Sequence, residues 1–454
     1  MTADPTDPFR LKHLAEALVQ AARKAGADQA DALAVDGRAI GIDVRAGGLE
    51  QAERSEGIEI GLRVLTGGRQ AAVSSSDHGD EAIAQMAQRA VAMAREAPVD
   101  DDLGLADPSQ LTARRDARGL DIAEEGAEPD PAHLQDMALR AEAAALSAKG
   151  ISQVEAANAS YSHRRMWLAA SNGFSGGYAR TGHALSVVAI TGEGLGMERD
   201  YAGESCVYAA DLPSPEEIGA LAAERTLARA GARKPPTGAF PILFDRRVSA
   251  SLIGHLLSAV NGAAVARGAS WLRRDLGEAV LPPGMDLTED PLRPRYPSSR
   301  PFDAEGLETQ ARRIVADGVL QGWTLDLATG RKLGMASTAA AARGLASAPA
   351  PGHSNVILTP GTHSRQDLIA QMGRGLVVTS MLGASVNGTT GDYSRGAAGF
   401  WVENGQIAWP VNECTIAGNL REMLMTLVAA DDALPWRAAE VPSLLVGGMT
   451  VAGA

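Results

Sequence analysis

Between residues 31 and 76 apolar and polar residues alternate in short runs, and glycine pairs at 47–48 and 67–68 separate those runs. Ile40-Gly-Ile-Asp-Val44, Ile58-Glu-Ile-Gly-Leu-Arg-Val64 and Ala71-Ala-Val73 each place every second side chain on one face of an extended chain. Glycine pairs allow the tight reversals that join neighbouring strands, so the pattern predicts an antiparallel meander. Helical spacing brackets it. On one side lie Leu11, Leu14, Leu18, Val19 and Ala22 in a helix over 11–25, with Gly26 at its end. On the other lies a helix over 77–97, with Ile83, Met86, Ala87, Ala90, Val91 and Met93 near one stripe and Asp77 or Asp80 as its cap.

The rest of the chain repeats this mixture without an internal repeat. Residues 98–131 hold Asp100-Asp-Asp102, Glu124-Glu125 and several prolines but no sustained period, which reads as a linker or a loose crossover. A helix over 132–149 precedes a strand-rich stretch over 154–208, with turns at Ser171-Asn-Gly173 and Gly192-Glu-Gly-Leu-Gly196. A helix over 215–232 follows, entered through Pro213 and Pro215, and Lys234-Pro-Pro236 marks a second boundary. Beyond it come a helix over 245–261, an irregular proline-rich stretch at 281–301 and many short strands. The expected class is α+β, with mixed, largely antiparallel sheets, packed helices and two to three domains. The expected division is 1–98 as an N-terminal helix, meander and helix, 99–131 as a linker or crossover, 132–235 as a strand-rich centre and 236–454 as a β-rich C-terminal domain. A length of 454 residues accommodates this at about 150 residues per domain.

Charge and cysteine content narrow the function classes. The formal net charge of −13 opposes binding to a phosphate backbone, so no nucleic-acid partner is expected. Cys206 and Cys414 are the two cysteines and form no CxxC, which rules out a disulfide framework, a local thiol redox motif and a four-cysteine zinc ribbon. No apolar run approaches the ~18 residues that span a bilayer, and Met1-Thr-Ala-Asp-Pro-Thr-Asp-Pro8 lacks a basic then apolar leader pattern. A soluble cytoplasmic protein with no membrane association is expected.

Several stretches invite a chemical reading. Gly173-Phe-Ser-Gly-Gly177 fits G-x-S-x-G, but a nucleophile elbow needs a helix after the serine, whereas Ala184-Leu-Ser-Val-Val-Ala-Ile190 reads as a strand; a glycine-rich hairpin explains the match better. Gly192-Glu-Gly-Leu-Gly196 lacks the spacing of a dinucleotide loop, and no G-x-x-x-x-G-K-[ST] occurs. The eight histidines are scattered. His255 stands out because Val248, Ser251, Leu252 and Ala259 share its helical face, although a core histidine satisfies that pattern as well as a ligand does. Residues 383–405 concentrate glycine with Asn387, Thr390, Asp392, Tyr393 and Arg395 on an expected loop. It serves either as a structural crossover or as an edge along which a peptide adds as a strand.

Taken together, the Ser55–Val64 strand, Phe302-Asp-Ala-Glu-Gly306, Asp317-Gly-Val-Leu320, Arg331-Lys-Leu-Gly334, the 391–405 segment and Thr415-Ile-Ala-Gly-Asn419 resemble the TldD/PmbA family, in its PmbA or TldE branch. The resemblance implies a cytoplasmic zinc metalloprotease assembled as a TldD–TldE heterodimer that acts on unfolded peptides or modified-peptide precursors. In the TldD branch an H-E-x-x-x-H helix and a later cysteine hold zinc. The corresponding positions here are Ala250, Ser251 and His255, with Ala397 or Ala398 where the cysteine would stand. Cys414 lies well downstream. The resemblance therefore implies a subunit with no catalytic residue, metal or cofactor of its own, with zinc in the TldD-type partner. A homodimeric peptide-binding or chaperone-like protein is the alternative.

Overall fold

The computed structural model describes residues 9–453, so the N-terminal octet read above lies outside the described residues. The first helix, α1 (Arg10–Lys24), buries Leu11, Leu14, Ala15, Leu18, Val19 and Ala22 and stops where Gly26 takes a φ of 99°. Strands β1 (Gln29–Arg45), β2 (Gly48–Thr66) and β3 (Arg69–Ser75) form the expected meander. They are much longer than the short alternating runs imply, because pairing continues through the charged stretch of β2 that alternation does not mark. In α2 (Asp80–Glu96) neither aspartate caps the helix: Gly79 is the N-cap, Asp77 accepts from its N–H, and Asp80 lies in the first turn, where negative charge favours the helix dipole. Met93 points outward, 48% exposed.

Next come α3 (Pro131–Leu146), β4 (Ile151–Ala170), β5 (Ser175–Thr191), β6 (Glu198–Cys206) and α4 (Pro215–Leu227). All six strands belong to one antiparallel sheet of order β3-β2-β1-β4-β5-β6, so segments 1–98 and 132–235 share a sheet through the β1–β4 pairing. One face of β1 explains the arrangement. Ala30, Ala32 and Ala34 pack with α1 and α2, while Leu33 and Val35 on the opposite face pack with Phe174 and Phe302. Further along, Ile40, Ile42 and Val44 lie under α3 and α4. Residues 98–131 are a packed crossover rather than a loose one. Leu120 and Ile122 are 1% and 2% exposed, and the carbonyls of Arg115 and Ile122 accept from Gly177 and Thr181 on β5.

The C-terminal region begins with β7 (Gly238–Phe244), α5 (Ser249–Ala259) and α6 (Gly262–Ala266). Short strands β8 (Leu287–Glu289), β9 (Arg312–Ala316) and β10 (Val319–Leu320) lead to α7 (Leu327–Lys332) and the pair β11 (Ala341–Ala342) and β12 (Ala350–Pro351). After β13 (Val356–Leu358) and α8 (Arg365–Met372) come three long strands, β14 (Gly375–Val386), β15 (Asp392–Glu403) and β16 (Gln406–Asn419). The chain closes with α9 (Leu420–Met425), β17 (Val428–Ala429), β18 (Ala439–Glu440) and β19 (Leu444–Ala452). Strands β16, β15, β14, β7 and β19 run in that order, and β16 also pairs with β19, so the sheet closes on itself. A parallel β7–β14 contact makes it mixed. Ile242, Phe244, Leu252, Ile253, Leu256 and Trp401 fill its core, each at most 1% exposed. The molecule is α+β as expected, and among the described residues no helix is long and apolar enough to cross a membrane.

Charge joins the two regions. Asp31 on β1 stands opposite Arg63 on β2, accepts from its Nε at 2.8 Å, and also pairs with Arg343 from the segment between β11 and β12. The three side chains are 3%, 4% and 2% exposed. Burial alone would raise the Asp31 carboxyl, but the two guanidinium groups outweigh it and hold it below its ordinary value. The same segment presses on Gly61, where a Cβ would lie 2.2 Å from the Leu345 carbonyl oxygen.

Asp31→Asn leaves two buried cations without their anion, and the expected loss is about 3–5 kcal/mol in urea unfolding at neutral pH. A carboxyl depressed in the folded state contributes fully above its unfolded value, and that contribution disappears as the pH falls through the folded one. The stability difference between wild type and Asp31→Asn therefore shrinks on acidification.

Candidate functional site

The helix and glycine-rich segment singled out in the sequence meet in the C-terminal domain. Regular helix starts at Ser249, four residues later than the apolar spacing predicts, because Asp245 is used to make a turn. Its carbonyl accepts from Val248 and Ser249, while its carboxylate accepts from the Arg247 N–H and from Arg365 Nε at 2.9 Å. Leu252, Ile253, Leu256 and Leu257 then turn into the core. Ala250, Ser251, Gly254 and His255 remain half-buried on the other side, with Ser251 and His255 one turn apart.

The glycine-rich segment is a hairpin rather than a crossover loop. Asp392, Tyr393 and Arg395 belong to β15, and only residues 387–391 form the turn. Asn387 Oδ1 accepts from the N–H groups of Thr389 and Thr390 at 2.9 and 3.3 Å. Thr390 Oγ1 donates to Asp392 at 2.6 Å, and Asn419 Nδ2 donates to the other Asp392 oxygen at 3.2 Å. These two bonds hold the exposed Asp392 carboxyl below its ordinary value. Arg395 Nε donates to the Gly383 carbonyl at 2.7 Å across the hairpin. The polar groups that look available in sequence thus largely hold the turn together. Leu382 on β14, 71% exposed, is an apolar side chain at this hairpin that alternation does not single out. Register shifts on both sides of it break the alternation.

His255 sits edge-to-face on Tyr393, with ring centroids 5.7 Å apart and planes at 72°. Its Nε2 is buried and has no hydrogen-bond partner among the described residues, so it is not the satisfied core histidine that its spacing suggests. Burial, followed by the positive charge of Arg395, lowers its pKa. Tyr393 is 3% exposed, donates to Met381 Sδ at 3.4 Å, and is pushed up to about 12 by burial. Ser251 Oγ donates back to the Val248 carbonyl at 2.7 Å.

Ala397 lies on β15 directly opposite Cys414 of β16, whose Sγ donates to the Ala397 carbonyl at 3.1 Å. Sequence distance hid this neighbour. The Asn404-Gly405 turn, with φ of 53° and 73°, sets Glu403 against Gln406. Counting back from there reaches residue 412, and two register shifts in the hairpin move the pairing to Cys414. Burial pushes its thiol up to about 11, which disfavours the thiolate that a metal takes.

The donor set does not fit zinc. A catalytic zinc takes three protein ligands, whereas this cluster offers one imidazole beside two alanines, a back-bonded serine and a protonated thiol. Among the described residues no three His, Cys, Asp or Glu side chains converge on a metal position. Ser175 of the G-x-S-x-G match lies at the start of β5, where it donates to Glu16 at 2.8 Å and accepts from Trp167 Nε1 at 2.9 Å. It has a hairpin before it and a strand after it, as its context predicts.

An imidazole with a lowered pKa stays neutral below its ordinary value near 6.5. In an NMR pH titration His255 is expected to titrate below that value, and Arg395→Gln is expected to move the midpoint up. Well above pH 6.5 folded and unfolded forms are both neutral there, so any contribution of His255 to pH-dependent instability begins as the pH falls toward 6.5.

Comparison with known proteins places these features in a family. Models of the PmbA/TldA metallopeptidases match along most of the chain: domain 1 over residues 30–94, the central domain over 124–230 and the C-terminal domain over 237–453. The metalloprotease PmbA of Escherichia coli O157:H7 is 38% identical over 416 residues, covering 91% of this chain and 90% of that protein. A Bacteroides thetaiotaomicron crystal structure, named for a proposed role as a modulator of DNA gyrase, aligns with a TM-score of 0.89 at 27% identity, over 98% of this chain and 99% of that one. TldE from Thermococcus kodakarensis shares the fold, with a TM-score of 0.83 at 18% identity over 97% of this chain and all of that one. With family models covering all three regions and this identity to PmbA, the chain belongs to the TldD/PmbA metallopeptidase family, on its PmbA (TldE) branch.

Proposed function

We propose that this chain is the non-catalytic, TldE-type subunit of a cytoplasmic TldD–TldE zinc peptidase that cleaves unfolded peptides or modified-peptide precursors. One observation carries the reading. The helix and hairpin that would present a zinc site are packed together, but Ala250, Ser251 and Ala397 supply no ligand or base, and His255 is left edge-to-face against Tyr393. The subunit then contributes walls of the reaction chamber and stabilises its partner, while the TldD-type subunit holds the zinc and activates water. The hairpin carrying Asn387, Thr390, Asp392, Tyr393 and Arg395 is the surface along which an extended peptide would lie. Since Tyr393 is buried, the exposed members and Leu382 would make that contact.

A second reading, a homodimer that holds peptides without cleaving them, draws on β2. That strand pairs with β3 only over residues 60–66, so its exposed residues 48–57 present a free edge suited to strand addition. A DNA-associated role as a modulator of gyrase, suggested by the name of one structural neighbour, runs against the −13 charge, which opposes contact with a phosphate backbone.

The test is to purify the chain alone and together with a TldD-type partner, then measure bound zinc and cleavage of an unfolded peptide. The expected outcome is zinc and cleavage only in the co-purified complex. Stoichiometric zinc and proteolysis by the isolated chain would overturn the proposal. Recovery of a homodimer alone from cells containing a TldD-type protein would favour the second reading.

A further inference from the structure

Between the six-stranded sheet and the C-terminal region lies a cavity of about 300 Å³, none of whose lining residues belongs to the α5–β15 cluster. Its chemistry is two-sided. Leu33, Met166, Leu168, Tyr178 and Phe302 supply an apolar wall, and Phe302 meets Tyr178 edge-on at 5.5 Å. Arg164, Arg180, Arg300 and Arg343 supply four guanidinium groups. Arg164 and Ala342 are exposed and form its open side.

The negative groups nearby are already committed. Asp303, the only acid among the lining residues, gives its two oxygens to the backbone N–H groups of Glu305, Leu307 and Ala341 at 2.9, 3.0 and 3.1 Å. Asp31 is shared between Arg63 and Arg343. Arg180 and Arg300 spend donors on carbonyls, of Ser299 for the former and of Ala341 and Gly352 for the latter. Nη2 of Arg343, on a side chain 2% exposed, and Nε of Arg300 are sealed in the wall with no hydrogen-bond partner among the described residues, so the arginines there outnumber the acceptors around them. A buried guanidinium donor without an acceptor is costly, and a planar carboxylate is the group that guanidinium forks match. The volume lies at the lower end for small-molecule sites.

We propose that this cavity binds a carboxylate carried on an apolar group, either a small organic acid or the C-terminus of a peptide. The carboxylate pairs with the guanidinium groups of Arg164 and Arg180, and its apolar arm lies against Tyr178, Phe302 and Leu168. The site is separate from the peptidase reading above and does not depend on it.

Calorimetry on the isolated full chain, with no partner and no cleavage, tests it with four probes: N-acetyl-alanyl-phenylalanine, its C-terminal amide, 3-phenylpropanoate and inorganic phosphate. The free acid is expected to bind about tenfold or more tightly than the amide, since only the acid forms charge-assisted bonds. Arg164→Gln and Arg180→Gln, which leave the buried Asp31 cluster intact, are each expected to weaken the acid about threefold or more and leave the amide unchanged. Tighter binding of the dipeptide than of 3-phenylpropanoate assigns the site to a peptide C-terminus, and equal binding assigns it to free acids. Equal affinity for acid and amide, phosphate binding as tightly as the acid, or no acid binding would overturn the proposal.

Discussion

The buried Arg63–Asp31–Arg343 cluster ties the two halves of the molecule together. One carboxylate holds two guanidinium groups, one from the neighbouring strand of its own sheet and one from residues more than three hundred positions away. Such a cluster adds little net stability over an apolar one, since desolvating three charges is expensive. Its effect is positional: any arrangement that withdraws Arg343 leaves charge uncompensated in a dry interior. Burial and the neighbouring Asp303 push the Glu305 carboxyl up to about 8, while the positive charge of Arg63 pulls it the other way. The apolar contacts of Leu33 and Val35 with Phe302, and the approach of Leu345 to Gly61, depend on that register.

Further polar contacts extend the join. Arg331 of α7 donates to the carbonyls of Asp102, Gly104 and Leu105, which pins the start of the crossover. Arg247, just before α5, pairs with Asp200 of β6, and Arg229 approaches both Asp200 and Glu198. The helix that carries the degenerate site is therefore anchored at its entrance to the N-terminal sheet.

Much of the architecture was legible because its signals are local. Apolar spacing in α1 and α2, glycine pairs at 47–48 and 67–68, the Pro-led start of α4 and the Asn404-Gly405 turn each act within a few residues. Ala250, Ser251, His255 and Ala397 were singled out by the family resemblance, and their correspondence to a zinc set belongs to the proposed function. The full length of β2 was not, since its charged half is extended by pairing to β1 alone. Nor was the order of residues 98–131, which comes from the burial of Leu120 and Ile122 and from hydrogen bonds to β5, a strand that follows them in the chain.

Residue identity alone determined that helix α5 carries one imidazole and no carboxylate, and that the chain is acidic, because no fold can supply a missing side chain. Tertiary structure decided what those residues meet. It set Cys414 opposite Ala397 through two register shifts, turned Asp392, Tyr393 and Arg395 from a loop into a strand, and gathered four arginines from distant segments around one cavity. Strand register and the burial of charge depend on the whole sheet closing at once, and no local stretch of sequence contains that information.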